Sequence, residues 1–88
     1  MPVEGREEFL ARVQVGNRVQ IPVTVRWRNR LEPGEVLTVT VRSAGRRKFY
    51  ARYCKDFRIS IPKLVAGDLG IEPGEVVEVI LHPEGIVI

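Results

Sequence analysis

The sequence predicts a mainly β protein with two short helices, a six-stranded, pseudo-twofold β-barrel built from two strand–strand–helix–strand repeats. Three observations carry that expectation. Displaced by forty residues, the chain matches itself at fourteen of the thirty-seven positions of 9–45 against 49–85, without a gap. Within each copy, apolar residues alternate with polar ones at the period of a strand. Finally, 88 residues bury only about 60–65% of the surface their unfolded chain exposes, so the core is thin and closing the sheet on itself completes it. Two copies fall short of the three or more that a solenoid needs. The whole of 1–88 therefore reads as a single domain.

In the first strand of copy one, Phe9, Ala11, Val13 and Val15 share a face opposite Leu10, Arg12 and Gln14. In copy two, Phe49, Ala51 and Tyr53 oppose Tyr50, Arg52 and Cys54. Turns at Gly16-Asn17 and Lys55-Asp56 lead to the second strands. There Val19 and Ile21 oppose Arg18 and Gln20, as Ile59 and Ile61 oppose Arg58 and Ser60. Pro22 and Pro62 end those strands and suit a first helical turn, where a missing N–H is no loss.

The second helix is expected over Lys63–Leu69, closed by Gly70 in a left-handed cap, with Ile71 as its apolar contact and Pro73 beyond. Copy one departs from this. Val23-Thr24-Val25 is β-branched and Arg30 replaces the capping glycine, which predicts a weaker helix with a strained or altered cap. Asn29 is the alternative left-handed residue. Pro33-Gly34 and Pro73-Gly74 are turns. The third strands set Leu37, Val39 and Val41 against Thr38, Thr40 and Arg42, and Val77, Val79 and Leu81 against Glu78, Ile80 and His82. Residues 85–88, Gly-Ile-Val-Ile, are a candidate short final strand.

At 44% hydrophobic and 28% charged residues, the composition is that of a soluble globular domain. No apolar run approaches the ~20 residues of a membrane helix. The stretch Met1-Pro2-Val3-Glu4-Gly5-Arg6-Glu7-Glu8 is acidic rather than signal-like, so a cytoplasmic location is expected. One cysteine, Cys54, and one histidine, His82, offer no intrachain disulfide and no metal cluster. Cys54 reads as a small side chain on a strand and His82 as a solvated residue near a strand end. No cofactor is expected.

The net charge of +3 is unevenly spread. Residues 12–63 hold thirteen Lys/Arg against Glu32, Glu35 and Asp56, whereas 64–88 hold five acids and no Lys or Arg. Eleven of the fourteen cations are arginine, the residue suited to phosphates and base edges. Such polarity points to an anionic partner.

The pattern Arg18-Val19-x-Ile21-Pro22, a short helix, then Leu31-x-Pro33-Gly34-Glu35-Val36 resembles the AbrB-type DNA-binding fold, which includes MraZ, SpoVT and the MazE antitoxins. In that family two single-copy chains interleave into a swapped-hairpin barrel. Here both copies lie in one chain, similar to the double-psi and RIFT members of the wider cradle-loop barrels. The resemblance implies a monomer, DNA as partner, and a role as a transcriptional regulator or chromatin-type protein. It carries the family's strand-two arginine onto Arg18 and Arg58, its helix arginine onto Arg26, and its strand-one basic residue onto Arg12 and Arg52. Ala66 stands at the second helix position, which departs from twofold-symmetric reading of DNA.

Arg12, Arg18, Arg52 and Arg58 all occupy the outward phase of their strands. If strands one and two pair as a hairpin, each copy presents two arginines on one side, ready for phosphates. The alternative is that they brace the barrel against Glu32, Glu35, Glu72 and Glu75. Within Arg26-Trp27-Arg28-Asn29-Arg30, a helix puts Arg26 and Arg30 on one face and Arg28 opposite. Trp27 either stacks on a base or, the favoured reading, plugs the barrel end. Arg46-Arg47-Lys48 reads as an exposed basic turn at the junction of the copies, suited to phosphate contact or simply solvated. Neither P-loop nor dinucleotide spacing is present, and Ser43 and Ser60 have no histidine to activate them. An enzyme is not expected. The rival to DNA binding is a protein-binding adaptor or an orphan RIFT or double-psi barrel that binds no DNA.

Overall fold

The computed structural model describes residues 5–83. It is mainly β, in the order β1 (Glu7–Arg12), β2 (Arg18–Gln20), α1 (Val23–Asn29), β3 (Val36–Arg42), β4 (Arg46–Arg52), β5 (Arg58–Ser60), α2 (Lys63–Leu69) and β6 (Val76–Leu81). Each element of the first half has a counterpart about forty residues later. The candidate strand at 85–88 lies outside the described residues.

All strand pairing is antiparallel. One sheet has the order β1-β6-β3-β4, and β2 pairs with β5 in a second, two-stranded sheet. The chain halves therefore interleave: Val79 of β6 faces Phe9 of β1 on one side and Val41 of β3 on the other. This corrects the expected hairpin of strands one and two. Among the described residues, β1 and β2 are joined through one bridge, Gln14 to Arg18, across the turn that holds Gly16 and Asn17 at positive φ. So tight a turn leaves β2 just three residues, and its ladder partner becomes β5.

The inward phase forms one core. Val13, Val19, Ile21, Val39, Val41, Ile59, Val77, Val79 and Leu81 are all buried in it. Val15 was expected on this face but is 82% exposed, because β1 ends at Arg12 and Val15 belongs to the turn. The outward phase of the two central strands is also covered at one place, where Thr40 faces Ile80 and both are buried.

Both helices are seven residues long. Pro22 and Pro62 stand one position before the first helical turn. Their backbone is still extended, with ψ of 148° and 144°, and their carbonyls accept from the N–H groups of Arg26 and Ala66. Gly70 takes the left-handed cap as expected, at φ 65°. In α1 the left-handed residue is Arg30, at φ 52°, and not Asn29. Asn29 stays helical and buried because its side-chain amide donates to the Val25 carbonyl at 2.9 Å and to Glu7 Oε2 at 2.8 Å. The next residue must then turn the chain, and a side chain at positive φ costs about 1–2 kcal/mol.

Candidate functional site

The outward phase of the four-stranded sheet carries Glu8, Ile80, Thr40 and Lys48 in one row across β1, β6, β3 and β4. Over the Thr40–Ile80 pair lies a cavity of about 360 Å³, walled by Arg6, Arg46, Arg47, Lys48 and His82. Four of these are permanent cations, and no acid lines the cavity among the described residues. Arg6 is paired with Glu8 at 2.8 Å and Arg47 with Asp68 at 2.8 Å, both exposed contacts that contribute little stability and offset part of the positive charge. Arg46 and Lys48 have no ion pair among the described residues. Residues 46–48 are thus the opening of β4 rather than a turn, which instead occupies Ser43 to Gly45.

His82 is half-buried, not simply solvated, and its Nε2 lies 2.6 Å from Thr40 Oγ1. Burial lowers its pKa below 6.5, and the charges of Lys48 and Arg6 push the same way. The unfolded chain therefore takes up the proton first as pH falls, so His82 contributes stability above pH 6.5 that is lost on acidification. Urea unfolding should show stability falling from neutrality to about pH 5, with a shallower slope in His82→Gln. An equal slope in the variant would place the proton uptake elsewhere.

The other expected cations separate into three groups. Arg12 Nη1 donates to the Gly74 carbonyl at 2.6 Å, and Arg52 Nη1 to the Gly34 carbonyl at 2.7 Å. Each strand arginine thus clasps a Pro-Gly turn of the other half. Of the four glutamates expected to brace these arginines, two close their own loops: Glu35 Oε1 accepts from Glu32 N–H and Glu75 Oε1 from Glu72 N–H. Arg18 and Arg58 converge on one carboxylate, Asp56, at 3.5 and 3.6 Å.

Arg26 belongs to a third place, a cleft of about 520 Å³ lined by Arg26, Trp27, Arg30, Leu31, Tyr53 and Phe57. As expected for a helix, Arg26 and Arg30 share this face, while Arg28 pairs with Glu7 at 2.8 Å. The Arg26 guanidinium lies 3.9 Å from the centre of the Phe57 ring, a cation–π contact. Trp27 does not plug the interior; it is 76% exposed, and the largest fully buried side chain is Tyr53. Burial raises the Tyr53 pKa, with the Arg26 hydrogen bond and then its charge partly opposing.

Of the eight expected contact residues, the fold brings Arg46, Arg47 and Lys48 to one cavity and adds Arg6, Thr40 and His82 to them. Arg6 was signalled in the sequence, since it stands forty residues before Arg46. Cys54 is exposed, just beyond β4. Among the described residues, no three His, Cys, Asp or Glu groups gather to hold a metal, and no helix is long and apolar enough to cross a membrane.

No family model matches the chain, and no curated protein matches it. The fold is similar to the solution structure of PHS018 from Pyrococcus horikoshii, with a TM-score of 0.76 and 28% identity over 99% of this chain and 100% of that one. Both chains thus share nearly their full length.

Proposed function

We propose that this chain is a small cytoplasmic nucleic-acid-binding protein, an AbrB-like cradle-loop barrel that meets duplex DNA through its phosphates and catalyses no reaction. The observation that carries this reading is the cavity over Thr40 and Ile80, where four cations converge without an acid in its described wall. Concavities lined by one sign of charge raise the local concentration of polyanions and position phosphates without reading sequence.

Barrel closure is supported by two matching contacts. Gln14 N–H donates to the Arg18 carbonyl at 2.7 Å and Cys54 N–H to the Arg58 carbonyl at 3.0 Å. Each continues the end of an edge strand, β1 or β4, into the two-stranded sheet. Val19 and Ile59 of that sheet join Val39 and Val79 in a single core. Internal duplication accounts for the counterparts at forty residues and for pairing between halves, and hence for a monomer. The outward arginines no longer act alike. Arg12 and Arg52 have fold-holding roles, so the phosphate contacts fall mainly to Arg6, Arg46, Arg47 and Lys48.

The test is anisotropy of labelled random duplex DNA over a salt series. Arg46→Ala combined with Lys48→Ala should flatten the slope of log affinity against log salt by about 1.8, roughly 0.9 per lost contact, on every sequence alike. Stability should stay within about 0.5 kcal/mol, as these are exposed side chains without ion pairs among the described residues. An unchanged slope at unchanged stability defeats the reading. A protein-binding adaptor is the second reading, favoured by Leu10 and Tyr50, which are 71% and 73% exposed on the outward sheet phase. It predicts a stoichiometric protein partner and no shift of nucleic acid.

A further inference from the structure

We propose that the cleft between α1 and the turn joining β4 to β5 is a second, separate site that takes one unpaired nucleotide, its base on Trp27 and its phosphate at Arg30. The cleft combines flat rings with charge: Trp27, Phe57 and Tyr53 stand beside Arg26 and Arg30, and no acid lines it among the described residues. Its volume of about 520 Å³ lies in the range of small-ligand pockets. A ligand that is planar at one end and anionic at the other complements that wall. An unpaired nucleotide has this chemistry, whereas a base inside a duplex has no free face to offer.

Tyr53 belongs to the core, but the exposed side chains of the cleft, Trp27 and Arg30, do not. Trp27 is 76% exposed and contributes little to the core. Arg30 occupies a left-handed backbone position where glycine is the easier residue, and its counterpart forty residues on is Gly70. The counterparts of Arg26, Trp27, Tyr53 and Phe57 are Ala66, Gly67, Val13 and Asn17. The same backbone elements are therefore built elsewhere in this chain without one ring or charge from the cleft. In Arg26, Nε is buried with no hydrogen-bond partner among the described residues, while the guanidinium rests on the Phe57 ring.

Trp27 is the chain's single tryptophan, so its fluorescence reports this cleft alone. Titration with a short oligothymidylate should quench it saturably, and the matching duplex should not. Thymidine monophosphate in a parallel titration separates the two sources of the ligand: saturation by the monophosphate means a free nucleotide suffices, and saturation by the oligomer alone means a strand is needed. By anisotropy of labelled oligomer, Trp27→Ala should weaken binding about 5- to 100-fold and Trp27→Phe should recover most of it. Trp27 being exposed, both variants should melt like the parent. Absence of saturable quenching by both ligands, equal quenching by duplex, or unaltered oligomer binding in Trp27→Ala would overturn the proposal. The duplex salt series on Arg46→Ala with Lys48→Ala is read independently, so the sheet-face reading and the cleft can fail separately.

Discussion

Leu81→Ala should lower the free energy of unfolding by about 2–5 kcal/mol, the range for emptying a fully buried leucine site. Leu81 is wholly buried in β6, faces Glu7 of β1 across one ladder and Val39 of β3 across the other, and so lies where three strands meet. Backbone on both sides is fixed by ladder bonds, so the site has little freedom to collapse into the void. In a domain of this size each kcal/mol shifts the melting temperature by about 4–8 °C. Thermal unfolding followed by circular dichroism should therefore show a fall of about 8–40 °C, with a matching loss in urea. A loss under about 1 kcal/mol would mean that β6 does not run through the centre of the sheet.

Glu7→Ala should cost about 2–3 kcal/mol, a large effect for a residue in the first strand. The Glu7 carboxylate accepts from Arg28 Nε and Nη2 at 2.8 and 2.9 Å and from Asn29 Nδ2 at 2.8 Å. Asn29 is 2% exposed, so Glu7→Ala removes one of the acceptors that hold a buried amide. The carboxylate is the clasp that fixes α1 to β1. The Arg28 hydrogen bonds hold its pKa below 4.5 against the opposing effect of burial, and Asn29 adds to the lowering. The stabilisation is therefore present above pH 4.5 and disappears as pH falls through the lowered value. Acid unfolding should be less steep in Glu7→Ala, and Glu7→Gln should lose less because it still accepts one hydrogen bond. A variant as stable as the parent at neutral pH would show that α1 docks through Val25 alone.

Local order was legible wherever a residue's own chemistry decides it. Gly70 announced its cap, the Pro-Gly pairs announced their turns, and the alternation of Leu37, Val39 and Val41 announced which face is buried. What stayed hidden was pairing. Antiparallel partners are chosen by shape across the whole core, and nothing in Val19 or Ile59 alone says that β2 lies on β5 rather than β1. The site followed the same rule. The basic residues at 46–48 were visible, but their gathering with Arg6 and His82 depends on β6 lying between β1 and β3. Arg12 and Arg52 misled for a related reason, since their acceptors are turn carbonyls of the opposite half. Carbonyls carry no signature in a sequence.

The placement of β1 against β6 governs when this protein can fold as well as how. Their ladder runs from Glu7 with Leu81 to Arg12 with Val76, so its contacts close loops spanning most of the chain. Closing such loops uses conformational entropy before any contact rewards it, and folds dominated by distant pairing are slow. During synthesis β1, β2 and β3 leave the ribosome well before β6 exists. Until then their apolar faces wait without the strand that separates β1 from β3, and the ladders available are the hairpin of β3 with β4 and the short pairing of β2 with β5. The nascent chain thus passes through an interval in which unpaired strand edges are open to other chains.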